Sequence, residues 1–277
     1  MANITAAEVN KLRQITGSGM MDCKNALVEA DGDVEKAIDI LRKKGQKVAN
    51  KRSDREAGEG LVIANTDASA KVATITMLNC ETDFVAKNQE FVDLANAIAN
   101  IALTQKPATM DDLKAISLNG RTIAESISDM IGKTGEKMEL SEYHIIQAPR
   151  VFAYNHMGNK LAAIMGLNSD SVADIDTVGK EVVMQIAAMA PVALDKEGVD
   201  AKIVEREIEV GKEQAREEGK PEEMLEKIAI GKLNKFYKDN TLLNQDFVRD
   251  NKKTVRQYLE ESGKGLTVTE FKRVSLK

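Results

Sequence analysis

The sequence predicts an α+β fold, because helix-like and strand-like segments both recur along its 277 residues. Three observations support this class. A capping-box spacing opens a helix-rich N-terminal segment, β-rich runs separated by a turn follow a charged stretch, and a similar unit of two strands and a helix recurs later. Hydrophobic residues make up 43 % of the sequence, which is enough for one large domain or two to three modest ones.

The first 45 residues predict a compact domain of three helices. Thr5 and Glu8 have capping-box spacing, so the first helix should begin at about Ala6. Glycines at positions 17 and 19 end it, and a second helix should run to about Ala30. Residues 46–57 are charged and poor in apolar side chains, which predicts a linker that is helical in part. The third helix is predicted by apolar residues at helical spacing, namely Val34, Ala37, Ile38 and Leu41.

Residues 58–148 predict a first α+β subdomain. Two β-rich runs, Leu61–Ala64 and Val72–Leu78, are separated by a turn-like segment, which predicts an antiparallel hairpin. The stretch from Phe84 to Leu103 predicts one helix that covers the sheet. Its apolar stripe consists of Phe91, Leu94, Ala95, Ile98 and Ala102.

Residues 149–190 and 240–277 predict a second, related subdomain. Strand-like Val151–Tyr154 and Leu161–Leu167 flank a turn and precede a helix, which we interpret as a degenerate internal repeat. Residues 191–239 predict an inserted helical hairpin that turns at Gly219-Lys220-Pro221. Any apolar face left over on this hairpin would favour a homodimer or a 2:2 complex. Its predicted seam contains Ile203, Val204, Ile208, Met224, Leu225 and Ile228.

Composition limits the functional classes. The 39 basic and 44 acidic side chains nearly balance, and a net charge of -5 gives no general attraction for phosphate, so we expect no direct contact with nucleic acid. The longest apolar runs are shorter than the ~18 residues that a membrane span requires. Cys23 and Cys80 lack CxxC spacing, and no signal-peptide pattern follows the start. We therefore expect a cytoplasmic protein with reduced thiols and no membrane partner.

The sequence offers little support for an enzyme. Gly132-Lys133-Thr134 lacks the earlier glycine of a phosphate loop, because Ile127 stands there. His144 and His156 have no metal-binding spacing, and no serine or cysteine lies in a nucleophile motif. We therefore expect no catalytic residue, no metal site and no cofactor, although the many Asp and Glu residues leave a paired-carboxylate site as an open alternative.

Apolar residues at exposed joints indicate protein contact surfaces. Met20 and Met21 lie where a loop enters a helix, and flexible thioether side chains suit a contact surface that adapts to a partner. Burial of one of them in the small core is an equally weighted alternative.

Phe84 raises the same choice. It follows a strand in the segment CETDFVAKN and is placed in the first turn of the predicted helix, where Thr82 or Asp83 is available as a cap. Because Phe84 precedes Phe91 by seven residues, a continuous helix would turn both rings toward the sheet. If the first turn instead overhangs the sheet edge, the ring is exposed and available to insert into a partner.

Four short segments resemble the elongation factor Ts family of bacteria and organelles. They are Met20–Lys24, Thr82–Lys87, His156 after a strand, and Gly219-Lys220-Pro221 ahead of a helical stretch. The resemblance covers nearly the whole chain in order. It implies that the N-terminal domain is ubiquitin-associated-like. It also implies a protein that is not an enzyme but promotes guanine nucleotide exchange on elongation factor Tu, the GTPase that carries aminoacyl-tRNA to the ribosome.

The resemblance also implies roles for individual residues. Arg13, Met20 and Met21 would dock on the nucleotide-binding domain of elongation factor Tu, and His156 would touch the same domain. Phe247 and Val248 would reach a different domain of the partner, although Arg249 is polar where an apolar residue is expected. The segment associated with displacing Mg²⁺ would consist of Thr82, Asp83, Phe84 and Val85, with Phe84 as the intruding ring.

Two alternatives to nucleotide exchange stay open. One is a protein-binding adaptor that uses the three-helix domain and has no exchange activity. The other is an RNA-binding protein that uses Lys43–Arg55 as a basic strip, although this strip lacks the interleaved aromatic residues of many single-strand binders.

Overall fold

The computed structural model describes residues 4–52 and 54–277, and it begins with the predicted three-helix domain. The capping box is present: the Thr5 hydroxyl accepts from the Glu8 amide at 3.3 Å, and the Glu8 carboxylate accepts from the Thr5 amide at 2.7 Å. Gly17, at φ 67°, ends the first helix. The helices are α1 (Ala6–Thr16), α2 (Met20–Glu29) and α3 (Val34–Lys51).

Helix α3 continues six residues past the boundary predicted at residue 45, to Lys51. The reason is tertiary packing against a later helix, α7 (Ile123–Thr134), which the sequence pattern does not indicate. A Cβ atom on Gly45 would lie 3.3 Å from the Cα of Gly132, so the two helices touch backbone to backbone. Residues 46–51 are therefore helical, and the irregular part of the predicted linker begins only after Lys51.

The first subdomain contains a three-stranded antiparallel sheet in the order β1-β2-β5. The predicted hairpin is confirmed as β1 and β2, and the third strand, β5, was not predicted. The predicted continuous helix from Phe84 to Leu103 is wrong, because Asn88 starts a new helix by accepting from the Glu90 amide at 2.9 Å. The elements are β1 (Glu59–Thr66), β2 (Val72–Cys80), α4 (Asp83–Ala86), α5 (Gln89–Gln105), α6 (Met110–Ala115), β3 (Ser117–Leu118), β4 (Arg121–Thr122), α7, and β5 (Met138–Gln147).

The second subdomain repeats the hairpin and covering helix, in a sheet ordered β10-β7-β6. The two sheets share an apolar layer that includes Val62 and Ile75 from the first and Ile164 from the second. The opposite face of the first sheet packs under α5, so β1 and β2 are covered on both sides. This explains their nearly continuous apolar runs. The elements are β6 (Arg150–Asn155), β7 (Leu161–Leu167), α8 (Ile175–Met189), then, after the inserted hairpin, β8 (Asp246–Phe247), β9 (Asp250–Thr254), α11 (Val255–Ser262) and β10 (Val268–Ser275).

The inserted hairpin consists of α9 (Ala201–Glu217) and α10 (Glu222–Asn240). Its seam differs from the prediction, since only Leu225 of the six predicted residues is fully buried. Small residues let the helices approach closely, and a Cβ atom on Gly211 would lie 3.1 Å from the Cα of Ala229. The buried seam is formed by Gly211, Ala215, Leu225, Ala229 and Leu233.

The α+β class is confirmed by these helices and antiparallel sheets. Within residues 4–52 and 54–277, no helix has the length and apolar character needed to cross a bilayer. The same residues contain no group of three or more His, Cys, Asp or Glu side chains arranged to hold a metal ion.

Candidate partner-binding surface

The ring of Phe84 stands on a single helical turn, α4, directly after strand β2. Thr82 caps this turn, because its hydroxyl accepts from the Val85 amide at 3.4 Å. Ala86 is buried and packs the turn onto the first core. Phe84 is 82 % exposed. Of the two alternatives that the sequence left open, the exposed ring is the one found.

Phe84 is exposed because α4 and α5 are separate helices. Counting 100° per residue from Phe84 to Phe91 requires a continuous helix, and the chain breaks at Lys87 and Asn88. Phe91, in the first turn of α5, is fully buried in the core below that helix, whereas Phe84 is exposed on α4. An exposed phenylalanine is costly to hydrate and gains free energy when a partner covers it.

The charged neighbour of Phe84 is already paired. Asp83 accepts from the Lys87 ammonium at 2.7 Å, across one turn of helix. This bond holds the pKa of Asp83 below its usual value, although burial acts to raise it, and the charges of Lys87 and Lys160 act in the same direction as the bond. Asp83 is therefore ionised and oriented on the same exposed turn as the ring.

The turn between β6 and β7, which carries His156, lies against the edge strand β1 of the first sheet. Asn155 pairs with the backbone of Ala64 through two hydrogen bonds of 2.8 Å, and the Asn159 carbonyl accepts from the Val62 amide at 2.7 Å. Because β1 is an edge strand, the turn occupies its free hydrogen-bonding groups. Helix α4 also contacts β1, so the turn with His156 and the turn with Phe84 both adjoin this strand.

His156 itself is exposed, and its Nδ1 atom lies 2.9 Å from the Tyr154 hydroxyl. The next residue, Met157, is 91 % exposed and was not predicted. The signal for Met157 was available in the sequence, since an apolar side chain in a tight polar turn is an exposed side chain. A second ion pair, Lys160 with Glu59 at 2.9 Å, joins this turn to the start of β1.

The three-helix domain presents a second apolar surface at its α1–α2 corner. Met20 and Met21 are both exposed at the start of α2, so neither is a core residue. Arg13 is exposed in the last turn of α1, where its carbonyl accepts from the Gly17 amide at 2.7 Å. Ile15 is also exposed there and was not predicted. Ile15 lies on a different side of α1 from Arg13 and lines a cavity between the three-helix domain and the first subdomain. We define Arg13, Met20 and Met21 as the corner patch.

The structure separates the two residues of the Phe247-Val248 pair. Phe247 is 2 % exposed and stacks on Tyr258 with ring centroids 4.1 Å apart. Phe247 nevertheless lines a small cavity together with Val248 and Met184, so a partner would reach its ring only by entering that cavity, and its docking role stays a prediction. Val248 is 59 % exposed, with its amide donating to Gln185 at 2.9 Å, so a partner can touch it without entering the cavity.

Gly132-Lys133-Thr134 lies at the C-terminal end of α7, whereas a phosphate loop precedes a helix. The Lys133 ammonium pairs with Glu90 at 3.1 Å, and its side chain fills the space where a Cβ atom on Gly17 would lie. This lysine therefore packs between the three-helix domain and the first subdomain.

Known proteins resemble this chain over its full length. The family described as "Elongation factor TS" matches residues 81–277. An "Elongation factor Ts" from Cytophaga hutchinsonii is 54 % identical over 277 residues, 100 % of both chains. Another from Amoebophilus asiaticus is 52 % identical over 271 residues, 98 % of each chain, and one from Porphyromonas gingivalis is 51 % identical over 275 residues, 99 % of this chain and 98 % of the relative. The family match includes α4, His156 and Val248, and the relatives extend the likeness through the corner patch.

Proposed function

This chain belongs to the elongation factor Ts family and is a translation elongation factor, and we propose that it accelerates release of GDP from elongation factor Tu without catalytic chemistry of its own. The observation that carries this proposal is the exposed ring of Phe84 on a capped, anchored turn. An exposed aromatic ring on an anchored turn can insert into a cleft of a partner protein, and we call this role the wedge.

Exchange of this kind needs no reacting group. A GTPase holds GDP through charge-assisted contacts to its phosphates and through Mg²⁺, so unassisted release is slow. A protein that binds best to a conformation with those contacts broken weakens the binding of the nucleotide. The nucleotide in turn weakens the binding of that protein by the same coupling energy. Either GDP or GTP can then rebind and expel the exchange factor.

Phe84 would supply part of this coupling energy. Burying a phenylalanine side chain contributes about 2 kcal/mol, which corresponds to roughly a thirtyfold change in an equilibrium constant. In the proposed complex the ring enters a cleft that opens when the Mg²⁺ site of the partner is distorted. Asp83 would bring a negative charge beside that site, while Thr82 and Val85 complete the inserting turn.

The other exposed residues would hold the two proteins together. The corner patch would dock on the nucleotide-binding domain of elongation factor Tu, and His156 would support the same domain from beside α4. Val248 would reach a different domain. The observation in favour of this arrangement is that Arg13, Met20, Met21, His156 and Val248 are all accessible in the free chain.

Release of fluorescent GDP from elongation factor Tu, followed by stopped flow, tests the wedge. We expect Phe84→Ala to lower the saturated release rate by at least tenfold, because the ring acts in the rate-accelerating state. Val192→Ala provides the matched control, since Val192 is exposed after α8 and lies outside the proposed contact surfaces. Equal release rates for Phe84→Ala and the parent would disprove the wedge.

A second variant separates docking from insertion. Met20→Ala combined with Met21→Ala should raise the concentration needed for half-maximal release and leave the saturated rate near that of the parent. A loss confined to the saturated rate would contradict the docking role. Binding of elongation factor Tu with no acceleration by the parent protein would instead favour the adaptor alternative.

The oligomeric state stays a separate prediction. The hairpin exposes Ile203, Val210, Met224 and Ile230, which is the type of surface that a second copy would cover in a homodimer or a 2:2 complex. Molar mass measured by light scattering, with and without elongation factor Tu, would decide it.

A further inference from the structure

Two carboxylates bridge the chain just beyond the last paired residues of β2 and β5. The ladder ends with Cys80 opposite Met138, so the next backbone amides have no strand partner. The Glu136 carboxylate accepts from the Thr82 amide at 3.1 Å, and the Glu81 carboxylate accepts from the Lys137 amide at 2.6 Å. We call Glu81, Thr82, Glu136 and Lys137 the reciprocal clamp. It replaces the missing ladder bonds with charge-assisted ones.

Glu136 also sets the direction of the Thr82 hydroxyl. The hydroxyl donates to Glu136 at 2.7 Å, and since a hydroxyl has only one hydrogen, a lone pair is left to face the Val85 amide. An ionised carboxylate can only accept, so this polarity is fixed. The capping bond of α4 is therefore oriented by a residue 54 positions away in the sequence.

The Thr82 carbonyl is held as firmly. It accepts from the Ala86 amide at 3.1 Å and from the Cys80 thiol at 3.2 Å. Burial raises the pKa of the Cys80 thiol to about 12, so this thiol remains protonated and able to donate. All three polar groups of Thr82, its amide, carbonyl and hydroxyl, thus have partners inside the chain.

The clamp also binds side chains from the segment that follows α3. Arg52 and Arg55 each donate to the Glu81 carboxylate at 3.0 Å. The side chain of Glu81 is only 13 % exposed, so both arginines reach inward to it. The segment after α3 and the turn that carries Phe84 therefore meet at one carboxylate.

We propose that the reciprocal clamp positions α4 for insertion, with Glu136 as the positioning residue that orients the Thr82 cap and thereby fixes the direction in which Phe84 projects. A ring on a mobile turn would lose backbone freedom each time it entered a partner, and that loss would weaken the wedge. Because the clamp already fixes the backbone of α4 in the free chain, little backbone freedom is left to lose on insertion. The inference rests on the proposed function in one respect, that Phe84 is the inserting group.

The first test needs no partner. The chain contains no tryptophan, so Phe84→Trp provides a single fluorescent reporter on α4. In that background, Glu136→Gln should increase the amplitude of fast local motion in time-resolved anisotropy, because an amide cannot accept from both Thr82 groups as the carboxylate does. Glu29→Gln is the matched control, as it makes the same charge change at an exposed position of α2. Equal anisotropy decays for the two variants would overturn the proposal.

The second test asks whether the clamp acts through Phe84. Glu136→Gln should lower the saturated GDP release rate about tenfold, the factor expected for losing one charge-assisted hydrogen bond. In a Phe84→Ala background the same change should have little further effect, since the two positions act as one unit. Additive losses would show that Glu136 acts on general structure and would refute the proposal.

The experiments distinguish a failure of the proposed function from a failure of the clamp proposal. If the parent protein does not accelerate GDP release, the proposed function fails, while the anisotropy measurement still judges the clamp. If Glu136→Gln does not fold, Thr82→Val removes only the hydroxyl bonds and keeps the backbone bond to Glu136, and the same outcomes apply. Unchanged anisotropy in Thr82→Val would then count against the clamp.

Discussion

The free energy of unfolding of Glu81→Gln, compared with that of the parent at decreasing pH, tests how strongly the segment after α3 is anchored to the first subdomain. The Glu81 carboxylate accepts from both arginines, Arg52 and Arg55, and from the Lys137 amide. Burial acts to raise the pKa of this carboxyl, but these bonds outweigh burial and lower the pKa from 4.5 to about 2. Folding therefore stabilises the charged form.

The magnitude follows from these two pKa values. The difference, 4.5 minus about 2, corresponds to an upper limit of roughly 3 to 4 kcal/mol of free energy of unfolding, at ~1.4 kcal/mol for each pKa unit. Because the folded pKa is the lower one, this stabilisation is complete above pH ~4.5 and is lost as the pH falls through about 2. Glutamine at this position does not titrate, and its uncharged amide loses the attraction between the carboxylate and the two guanidinium groups.

Urea unfolding followed by circular dichroism at pH 7, 5, 4 and 3 measures the effect. The parent should exceed Glu81→Gln in free energy of unfolding at pH 7, and the gap should narrow at each step below pH 5. Other carboxylates titrate in both proteins and cancel from the difference. Glu29→Gln, at an exposed position of α2, should stay within about 0.5 kcal/mol of the parent throughout. A gap of equal size at pH 7 and pH 3, or no gap at pH 7, would refute the reasoning.

Two further predictions concern the hairpin and the edge of the first sheet. Gly211→Ala should lower the melting temperature, because its Cβ would press on the backbone of Ala229, whereas Gly231→Ala meets no atom within 4 Å and should stabilise α10 by about 1 kcal/mol through helix propensity. Equal shifts for the two variants would contradict the close helix packing. Asn155→Ala removes both bonds to the Ala64 backbone, each worth roughly 1 kcal/mol, and should raise the half-saturating concentration in GDP release by freeing the turn that carries His156. Asn96→Ala, which loses only a bond within α5, is its control, and an equal effect of both would exclude a specific role for Asn155.

Much of the local structure was predictable because it depends on neighbouring residues. The start of α1 follows from the Thr5 and Glu8 spacing, and the β1–β2 hairpin follows from two β-rich runs around a turn. The stripe of α5 was also correct, and all five of its residues are buried. In each case the deciding contacts lie within a few residues along the chain.

Elements decided by distant partners were missed. Strand β5 carries a mixed polar and apolar sequence, and it is a strand because it pairs with β2 some 60 to 75 residues earlier. Helix α3 extends beyond its own apolar stripe because Gly45 packs against Gly132. The seam of the hairpin was misplaced because alanine and glycine become core residues only when two backbones approach closely.

The sequence alone determined that Phe84 follows a strand and sits in the first turn of a helix, and that Thr82 can cap that turn, since these are properties of consecutive residues. Only the tertiary structure decided that the ring faces solvent, that Met20 and Met21 lie outside the core, and that Phe247 is buried while Val248 is not. Exposure depends on what other segments cover. The turn carrying Phe84 is fixed from Glu136, far along the chain, where no periodicity in the sequence reports the contact.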